Sequence, residues 1–355
     1  MQVVFSLRHQ AHHPQREFES SGFQEPFERP ERAEFIRSAL AADGSFEFVA
    51  PEDWGVAPIE AVHDPGLVHF LEHAWEEYQQ AHGPTHDVIP DVFAMPQLRE
   101  GMGAAREPSD VSARLGWWCF ETTTPLTHGT YDAARSSVDV ALTAADLVAN
   151  GERFAYGLCR PPGHHAARSV YGGYCFFNNA AVVADHLART LDAKVTVLDV
   201  DYHHGNGTQQ IFYSRGDVQF VSLHGDTERA YPYLTGHVDE RGTGDGAGTT
   251  SNFPLAAHTD DDTFLDHLAA ACDDVDSFDP DLVVVSLGLD TYFDDPICDL
   301  DLTADGFEAC GRMVAQMGFP TVVLQEGGYA TAELGENARR WLTGLAPTRP
   351  NPTKA

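Results

Sequence analysis

The stretch VTVLDVDYHHGNGT, residues 195–208, joins an apolar run to a dense group of titratable side chains. Its β-branched residues indicate a strand, and the unbroken apolar run indicates that this strand is covered on both faces. Four other segments share the pattern, and helical patterns lie between them. The strand-like segments are Phe154–Cys159, Val218–Leu223, Leu282–Leu287 and Thr321–Leu324, and the helical ones are Asn178–Thr190, Asp261–Val275, Ala304–Gln316 and Ala332–Leu345. The alternation predicts an α/β fold with a parallel sheet and with functional sites at the carboxyl ends of its strands.

The first half of the chain is less regular. Val3–Leu7 is typical of a first strand, and residues 81–126 are rich in proline, glycine and polar side chains. A loop of that length inside a compact domain is usually a functional or interface element. Helices are expected at Arg32–Ala42, at Gly66–Gln80 and from about Tyr131 to Asn150.

Composition limits the classes of protein to consider. Hydrophobic residues make up 43% of the 355, which is enough for a sizeable core, and no apolar run reaches the length of a membrane span. The N-terminus lacks the basic and apolar regions of a signal peptide. Without a linker or repeat, we expect one domain over residues 1–346 and a disordered tail over 347–355. The six cysteines form no CxxC pair, so a cytoplasmic location is expected, without disulfides or cysteine-bound zinc.

The chain carries a net charge of −32, which disfavours nucleic acids and anionic membranes as partners. One explanation is electrostatic steering of a cationic substrate, and the other is a general adaptation of the surface to salt. Acidic residues are spread along the whole chain, which favours adaptation. The dependence of kcat/KM on ionic strength separates the two explanations, because steering weakens as salt is added.

The ends of two predicted strands carry metal-ligand types. Asp201 and His203 are two residues apart on extended backbone, so their side chains point to the same side. Asp290 follows the strand Leu282–Leu287 and can bring a third ligand to the same edge. Two carboxylates and one imidazole leave room for water, as catalytic zinc sites do. The alternative for Asp290 is a turn or cap residue, a role that suits Asp294 and Asp295 better.

Two more strand ends carry residues suited to acid–base chemistry. The segment RPPGHHA places His164 and His165 in a turn, where Asp199 and Asn206 are available to fix their tautomers. The segment QEGGY ends in Tyr329, whose hydroxyl can stabilise an oxyanion. Without the neighbouring metal motif, His164 and His165 would be interpreted as turn histidines and Tyr329 as a packing residue. Next to that motif, functional roles are favoured. The glycine-rich stretch GTGDGAGTT, residues 242–250, fits no phosphate-binding pattern.

In this order, the segments RPPGHHA, GGYCFFNNAAVVA, LDVDYHHGNGTQQIFY, SLHGD, SLGLD and QEGGY resemble the histone deacetylase superfamily, most closely its bacterial acetylpolyamine amidohydrolases. The resemblance covers nearly the whole chain. It implies an arginase-like, three-layer α/β fold in which helices flank a mostly parallel central sheet of about eight strands.

The resemblance also implies roles for individual residues. Asp201, His203 and Asp290 would bind Zn²⁺, although Fe²⁺ or Co²⁺ suits such a donor set too. His165 would be the general base and then the general acid, His164 its electrostatic partner held by Asp199, and Tyr329 the group that polarises the acetyl carbonyl. Asn206 takes a place that aspartate holds in some relatives. A K⁺ or Na⁺ site would involve Asp199, Asp201, His203, Ser222 and Leu223, and the substrate tunnel would involve Glu17, Gly173, Tyr174 and Tyr231.

Polyamine-cleaving relatives carry acidic residues at the tunnel mouth. Glu17 keeps one of these positions, whereas two others fall at Ser112 and Thr123, with Glu121 and Asp110 nearby as substitutes. The segment 81–126 matches a loop that forms a homodimer in such relatives. We therefore expect a homodimer that associates through residues 81–126. The expected function is deacetylation of small cationic acetylated amines. The alternatives are a protein acetyl-lysine deacetylase, an arginase-type ureohydrolase and a non-catalytic module that binds acetylated ligands.

Overall fold

In the computed structural model, which describes residues 1–20 and 22–345, a single eight-stranded sheet forms the centre of the molecule. The strands are β1 (Gln2–Val4), β4 (Glu47–Val49), β5 (Phe154–Gly157), β6 (Val195–Asp199), β7 (Val218–Gly225), β8 (Thr250–Leu255), β9 (Leu282–Leu287) and β10 (Thr321–Gln325). Their order is β4-β1-β5-β10-β9-β6-β7-β8, and every pairing is parallel. The expected α/β fold with a parallel sheet of about eight strands is confirmed. A small antiparallel hairpin, β2 (Glu17–Glu19) and β3 (Gly22–Gln24), lies apart from the sheet.

Helices cover both faces of this sheet. They are α1 (Pro30–Asp43), α2 (Ala57–Val62), α3 (Pro65–His82), α4 (Val111–Trp118), α5 (Thr130–Ala149), α6 (Asn179–Leu191), α7 (Asn206–Phe212), α8 (Asp261–Phe278), α9 (Ala304–Gln316) and α10 (Leu334–Gly344). One apolar cluster joins α3, α5 and α6 to the sheet, and a second joins α1, α8, α9 and α10. Strand β6 contributes Val195 and Val197 to the first cluster and Leu198 to the second, as alternation along a strand requires. Over residues 1–20 and 22–345, no helix is long and apolar enough to cross a membrane.

The prediction of a strand over Val3–Leu7 is correct for Val3 and Val4 and wrong for the residues that follow. Strand β1 ends at Val4, and Leu7–Ala11 forms a 3₁₀ helix instead. The side chain of Ser6 accepts a hydrogen bond from the amide of Arg8 and so caps that helix at its start. The strand pattern in Val3–Leu7 is therefore interrupted by a local cap. The tail predicted at 347–355 lies outside the described residues.

The segment 81–126 contains regular structure that the sequence did not predict. A 3₁₀ helix covers Pro96–Arg99, and α4 begins after Asp110. Asp110 accepts hydrogen bonds from the amides of Ser112 (2.9 Å) and Ala113 (3.3 Å), which makes it the N-cap of α4. Four large apolar side chains of this segment are exposed: Val92, Met95, Leu98 and Met102.

Candidate active site

The residues singled out from the sequence lie together beyond the carboxyl ends of adjacent strands. Asp201 and His203 follow β6, Asp290 follows β9, Tyr329 follows β10, and the pair His164 and His165 follows β5. These four strands are neighbours in the sheet, in the order β5-β10-β9-β6. The fold therefore brings four separate sequence motifs to one edge, which is where ligands bind in open parallel sheets.

The proposed metal ligands form a compact, buried group. His203 Nδ1 lies 3.3 Å from Asp201 Oδ1 and 3.1 Å from Asp290 Oδ2. Both carboxylates are fully buried, and over residues 1–20 and 22–345 no lysine or arginine pairs with either of them. Burial, followed by the charge of Asp201, raises the pKa of Asp290 to about 7. Two buried carboxylates without a lysine or arginine partner among the described residues suit a bound divalent cation, because its charge offsets the cost of their burial.

Glycines keep the space around these carboxylates open. A Cβ atom on Gly327 would lie 2.3 Å from Asp290 Oδ2 and 2.7 Å from Asp201 Oδ2. A Cβ atom on Gly288 would lie 2.2 Å from Asp201 Oδ2. The side chain of any larger residue at either glycine position would therefore overlap the carboxylates. Together with the donor set of two carboxylates and one imidazole, this cradle fits a catalytic zinc ion.

One group beside the metal ligands was not identified from the sequence. Cys298, His203 and Asp290 offer possible ligand atoms that all lie within 4.8 Å of one another. Burial, with the nearby charges of Asp290 and Asp295, raises the pKa of the Cys298 thiol well above its usual value. Cys298 stands alone in the sequence, so no spacing pattern pointed to it.

The two histidines occupy different electrostatic environments. His164 Nδ1 lies 3.0 Å from Asp199 Oδ2, and His165 Nδ1 donates to Asn206 Oδ1 at 2.7 Å. Burial lowers the pKa of His164, but Asp199 and Asp201 outweigh burial and raise it to about 10. Burial and then the charges of His164 and His203 lower the pKa of His165 well below its usual value. His164 is therefore the charged member of the pair, and His165 is the neutral imidazole, held at Nδ1 by Asn206.

Tyr329 is held through both its backbone and its ring. Its amide donates to Asp295 Oδ2 at 2.7 Å, and the guanidinium carbon of Arg32 lies 4.6 Å from the centre of its ring. Arg32 also donates to the carbonyl oxygens of Gly328 (2.6 Å) and Glu326 (2.7 Å). Burial raises the pKa of the Tyr329 hydroxyl well above 10, so this group stays protonated and available as a donor.

Other buried charges support these residues, and the sequence analysis did not identify them. Glu326 accepts a hydrogen bond from the amide of Gly163 (2.6 Å) and one from the hydroxyl of Ser286 (3.1 Å). Burial raises the pKa of Glu326 to about 7. Its position directly after β10, in QEGGY, is the signal that could have identified it. Glu28 pairs with both Arg32 and Arg160 beneath the site.

Four residues expected in the substrate tunnel border the same site. The Tyr174 ring lies 5.8 Å from the Tyr329 ring, and the Tyr231 ring meets His165 edge-to-face at 4.9 Å. Gly173 packs against the His165 ring. Glu17 is fully buried, accepts a hydrogen bond from the Tyr174 hydroxyl at 3.3 Å, and has a pKa raised to about 7 by burial.

The residues expected around a monovalent cation lie at the ends of β6 and β7. Asp199 pairs with Ser222 in the strand register, and Leu223 is buried beside them. The Ser222 hydroxyl lies 2.8 Å from His224 Nδ1. Asp199 also accepts a hydrogen bond from the amide of Asp201 at 3.2 Å. The cation itself stays a prediction.

Ser112 and Thr123, the two positions where the resemblance implies acids, make other contacts. The Ser112 hydroxyl lies 2.7 Å from His82 Nε2, and Asp110 is engaged as the cap of α4. The Thr123 hydroxyl donates to Glu121 Oε2 at 2.6 Å. Glu121 Oε1 in turn accepts from the amide of Gly173 at 3.0 Å. Of the two nearby acids, Glu121 is therefore the one that contacts the wall of the site.

Comparisons with known proteins agree with this architecture. The histone deacetylase domain family matches residues 26–345. The chain is 42% identical to acetylpolyamine amidohydrolase 2 of Pseudomonas aeruginosa, over 97% of this chain and 98% of that protein. It is 41% identical to acetylpolyamine amidohydrolase of Mycoplana ramosa, over 98% of this chain and 100% of that protein. A crystal structure of acetylpolyamine aminohydrolase from Burkholderia pseudomallei superposes with a TM-score of 0.89 at 38% identity, covering 97% of this chain and 98% of that one.

Proposed function

The chain belongs to the histone deacetylase family, and from that premise we propose that it removes acetyl groups from small cationic amines by zinc-dependent amide hydrolysis. The observation that carries the proposal is a single buried site that combines three kinds of group. Asp201, His203 and Asp290 form a metal-ligand set, His165 is a neutral base, and Tyr329 is a protonated donor.

Each of these groups has a defined part in amide hydrolysis. Bound zinc supplies Lewis acidity and lowers the pKa of water. His165 Nε2 takes a proton from the attacking water and returns it to the departing amine. The Tyr329 hydroxyl donates to the acetyl oxygen as negative charge develops there. His164, charged beside Asp199, offsets the negative charge of the buried carboxylates and stays protonated throughout.

The preference for a cationic amine rests on the acids at the wall and on the relatives. Glu17 and Glu121 contact the turn that carries Gly173 and Tyr174. In the part of the chain that the structure describes, neither carboxylate pairs with a lysine or an arginine. The similar proteins of P. aeruginosa and M. ramosa are named acetylpolyamine amidohydrolases. An ammonium group on the substrate would supply the missing positive charge at Glu17, because both Glu121 oxygens already accept hydrogen bonds from Gly173, Thr123 and Thr124.

Four further properties belong to this proposal. We infer a single catalytic domain over residues 1–346 in a cytoplasmic enzyme, with K⁺ or Na⁺ bound near Asp199. The exposed side chains of Val92, Met95, Leu98 and Met102 favour a homodimer through the segment 81–126, because clustered apolar side chains mark interfaces.

A side-by-side assay on the zinc-loaded protein tests the substrate class. We expect kcat/KM for acetylputrescine and acetylspermidine to exceed that for acetyl-lysine peptides. His165→Ala is the matched control, because it removes the base and leaves the ligand set intact. Higher activity on the peptides would favour the protein deacetylase alternative. No hydrolysis of any acetylated amine, with zinc bound, would contradict the enzymatic function.

A further inference from the structure

A two-residue turn forms the wall of the site nearest to the reacting groups. Gly172 and Cys175 exchange both backbone hydrogen bonds, each 3.0 Å long. The central residues, Gly173 and Tyr174, have φ angles of +58° and +65°. Left-handed backbone costs nothing for glycine but is unfavourable for tyrosine. Contacts outside the turn must therefore hold it in this conformation.

The inner side of this turn touches both the base and the oxyanion donor. A Cβ atom on Gly173 would lie 2.3 Å from His165 Cδ2, so its backbone packs directly on the imidazole. The Tyr174 ring packs against the Tyr329 ring with centroids 5.8 Å apart. A shift of the turn would change the surroundings of both groups at once.

The outer side of the turn is anchored by Glu121. One carboxylate oxygen accepts from the Gly173 amide at 3.0 Å. The Tyr174 amide donates to Thr124 Oγ1 at 2.7 Å, and the Thr124 hydroxyl donates to the same carboxylate. The other oxygen accepts from the amide and the hydroxyl of Thr123. One side chain thus holds both left-handed residues, directly and through Thr124.

We propose that Glu121 is a positioning residue, whose carboxylate holds the Gly173–Tyr174 turn against His165 and Tyr329 for the reaction. The inference rests on the proposed function. Charge-assisted hydrogen bonds to backbone amides are short and directional, so they fix the turn better than neutral ones. Because Glu121 belongs to the segment 81–126, this segment helps to position the reacting groups. A displacement of about 1 Å at such a wall costs about 10²-fold in rate.

The test compares Glu121→Ala and Glu121→Gln with Glu100→Gln, which removes an exposed acid from the same segment. Each zinc-loaded variant is assayed on acetylputrescine and on N-pentylacetamide, in which a methyl group replaces the ammonium. We expect Glu121→Ala to lower kcat by about 10²-fold on both substrates, with little change in KM. Glu121→Gln should regain part of that loss, because its amide oxygen still accepts from Gly173. Glu100→Gln should match the wild type.

Zinc content and thermal midpoint are recorded for every variant, so that kcat refers to folded, loaded protein. Unchanged kcat in both Glu121 variants would overturn the inference. A loss confined to the ammonium substrate would also overturn it, since Glu121 would then recognise charge directly. If Glu121→Ala does not fold, the kcat of Glu121→Gln and of Thr124→Val decides by the same criteria. A wild type inactive on both substrates would instead reject the proposed function on which the inference rests.

Discussion

Replacing Glu28 by glutamine should destabilise the whole protein, although Glu28 lies beneath the site and not in it. Glu28 is buried and accepts hydrogen bonds from Arg160 Nε (2.7 Å), Arg160 Nη2 (2.9 Å) and Arg32 Nη1 (3.0 Å). Both guanidinium groups are almost completely buried as well. A glutamine would leave these two positive charges without a carboxylate partner.

The size of the effect follows from the pKa of Glu28. Burial raises this pKa, but Arg160 and Arg32 outweigh burial and lower it from 4.5 to about 2. At about 1.4 kcal/mol per pKa unit, the carboxylate contributes about 3 kcal/mol to folding. This agrees with the cost of about 3–5 kcal/mol for breaking a buried ion pair. Because the folded-state pKa is depressed, the contribution is complete above pH 4.5 and is lost as pH falls towards 2.

Urea unfolding at pH 7 measures the change as a shift in midpoint at constant slope. Glu31→Gln is the control, because Glu31 is an exposed acid three residues further along the chain, and its loss should change stability by less than about 0.5 kcal/mol. The same comparison at pH 3 should show a smaller difference between wild type and Glu28→Gln. A variant within about 0.5 kcal/mol of the wild type at pH 7 would refute the assignment of net stabilisation to this network.

Tyr329→Phe should keep zinc and lower kcat by about 10²–10³-fold, since it removes one oxyanion donor; a near-normal rate in a steady-state assay would exclude that role. Asp290→Ala should lose zinc, measured by metal analysis after dialysis, and full occupancy would contradict the ligand set. Gly173→Ala should lower kcat by more than about tenfold in the same assay, because its Cβ would lie 2.3 Å from His165 Cδ2. Wild-type turnover would mean that the reaction tolerates a displacement of the turn that carries Gly173.

The central strands were predictable because they are buried on both faces. The strands β6, β9 and β10 appear in the sequence as continuous apolar runs, and their observed bounds differ from the predicted ones by at most one residue. The edge strands β4 and β8 were missed. Strand β4 has three residues, and β8 contains Asn252 and Pro254, so neither shows an apolar run or a clean alternation.

Some residues of the candidate site were likewise predictable from the sequence, and others were not. His164, His203 and Tyr329 follow strands in recognisable motifs, so the sequence alone placed them at one edge. Glu28 and Cys298 were missed, because each has one partner from a segment far away in the chain, Arg160 for Glu28 and His203 for Cys298. The roles of the individual side chains in catalysis, the bound metal and the monovalent cation remain predictions for the experiments above.

The short edge strands also determine how copies of this protein can meet. An open sheet edge offers unpaired amides and carbonyls on which another chain can add a strand, the usual route to aggregation. Here β4 ends after three residues, and Pro254 removes one amide donor from β8. Both edges are poor templates for an incoming strand. Exposed apolar side chains between Val92 and Met102 therefore offer copies of the chain a better place to associate than the edges of the sheet do.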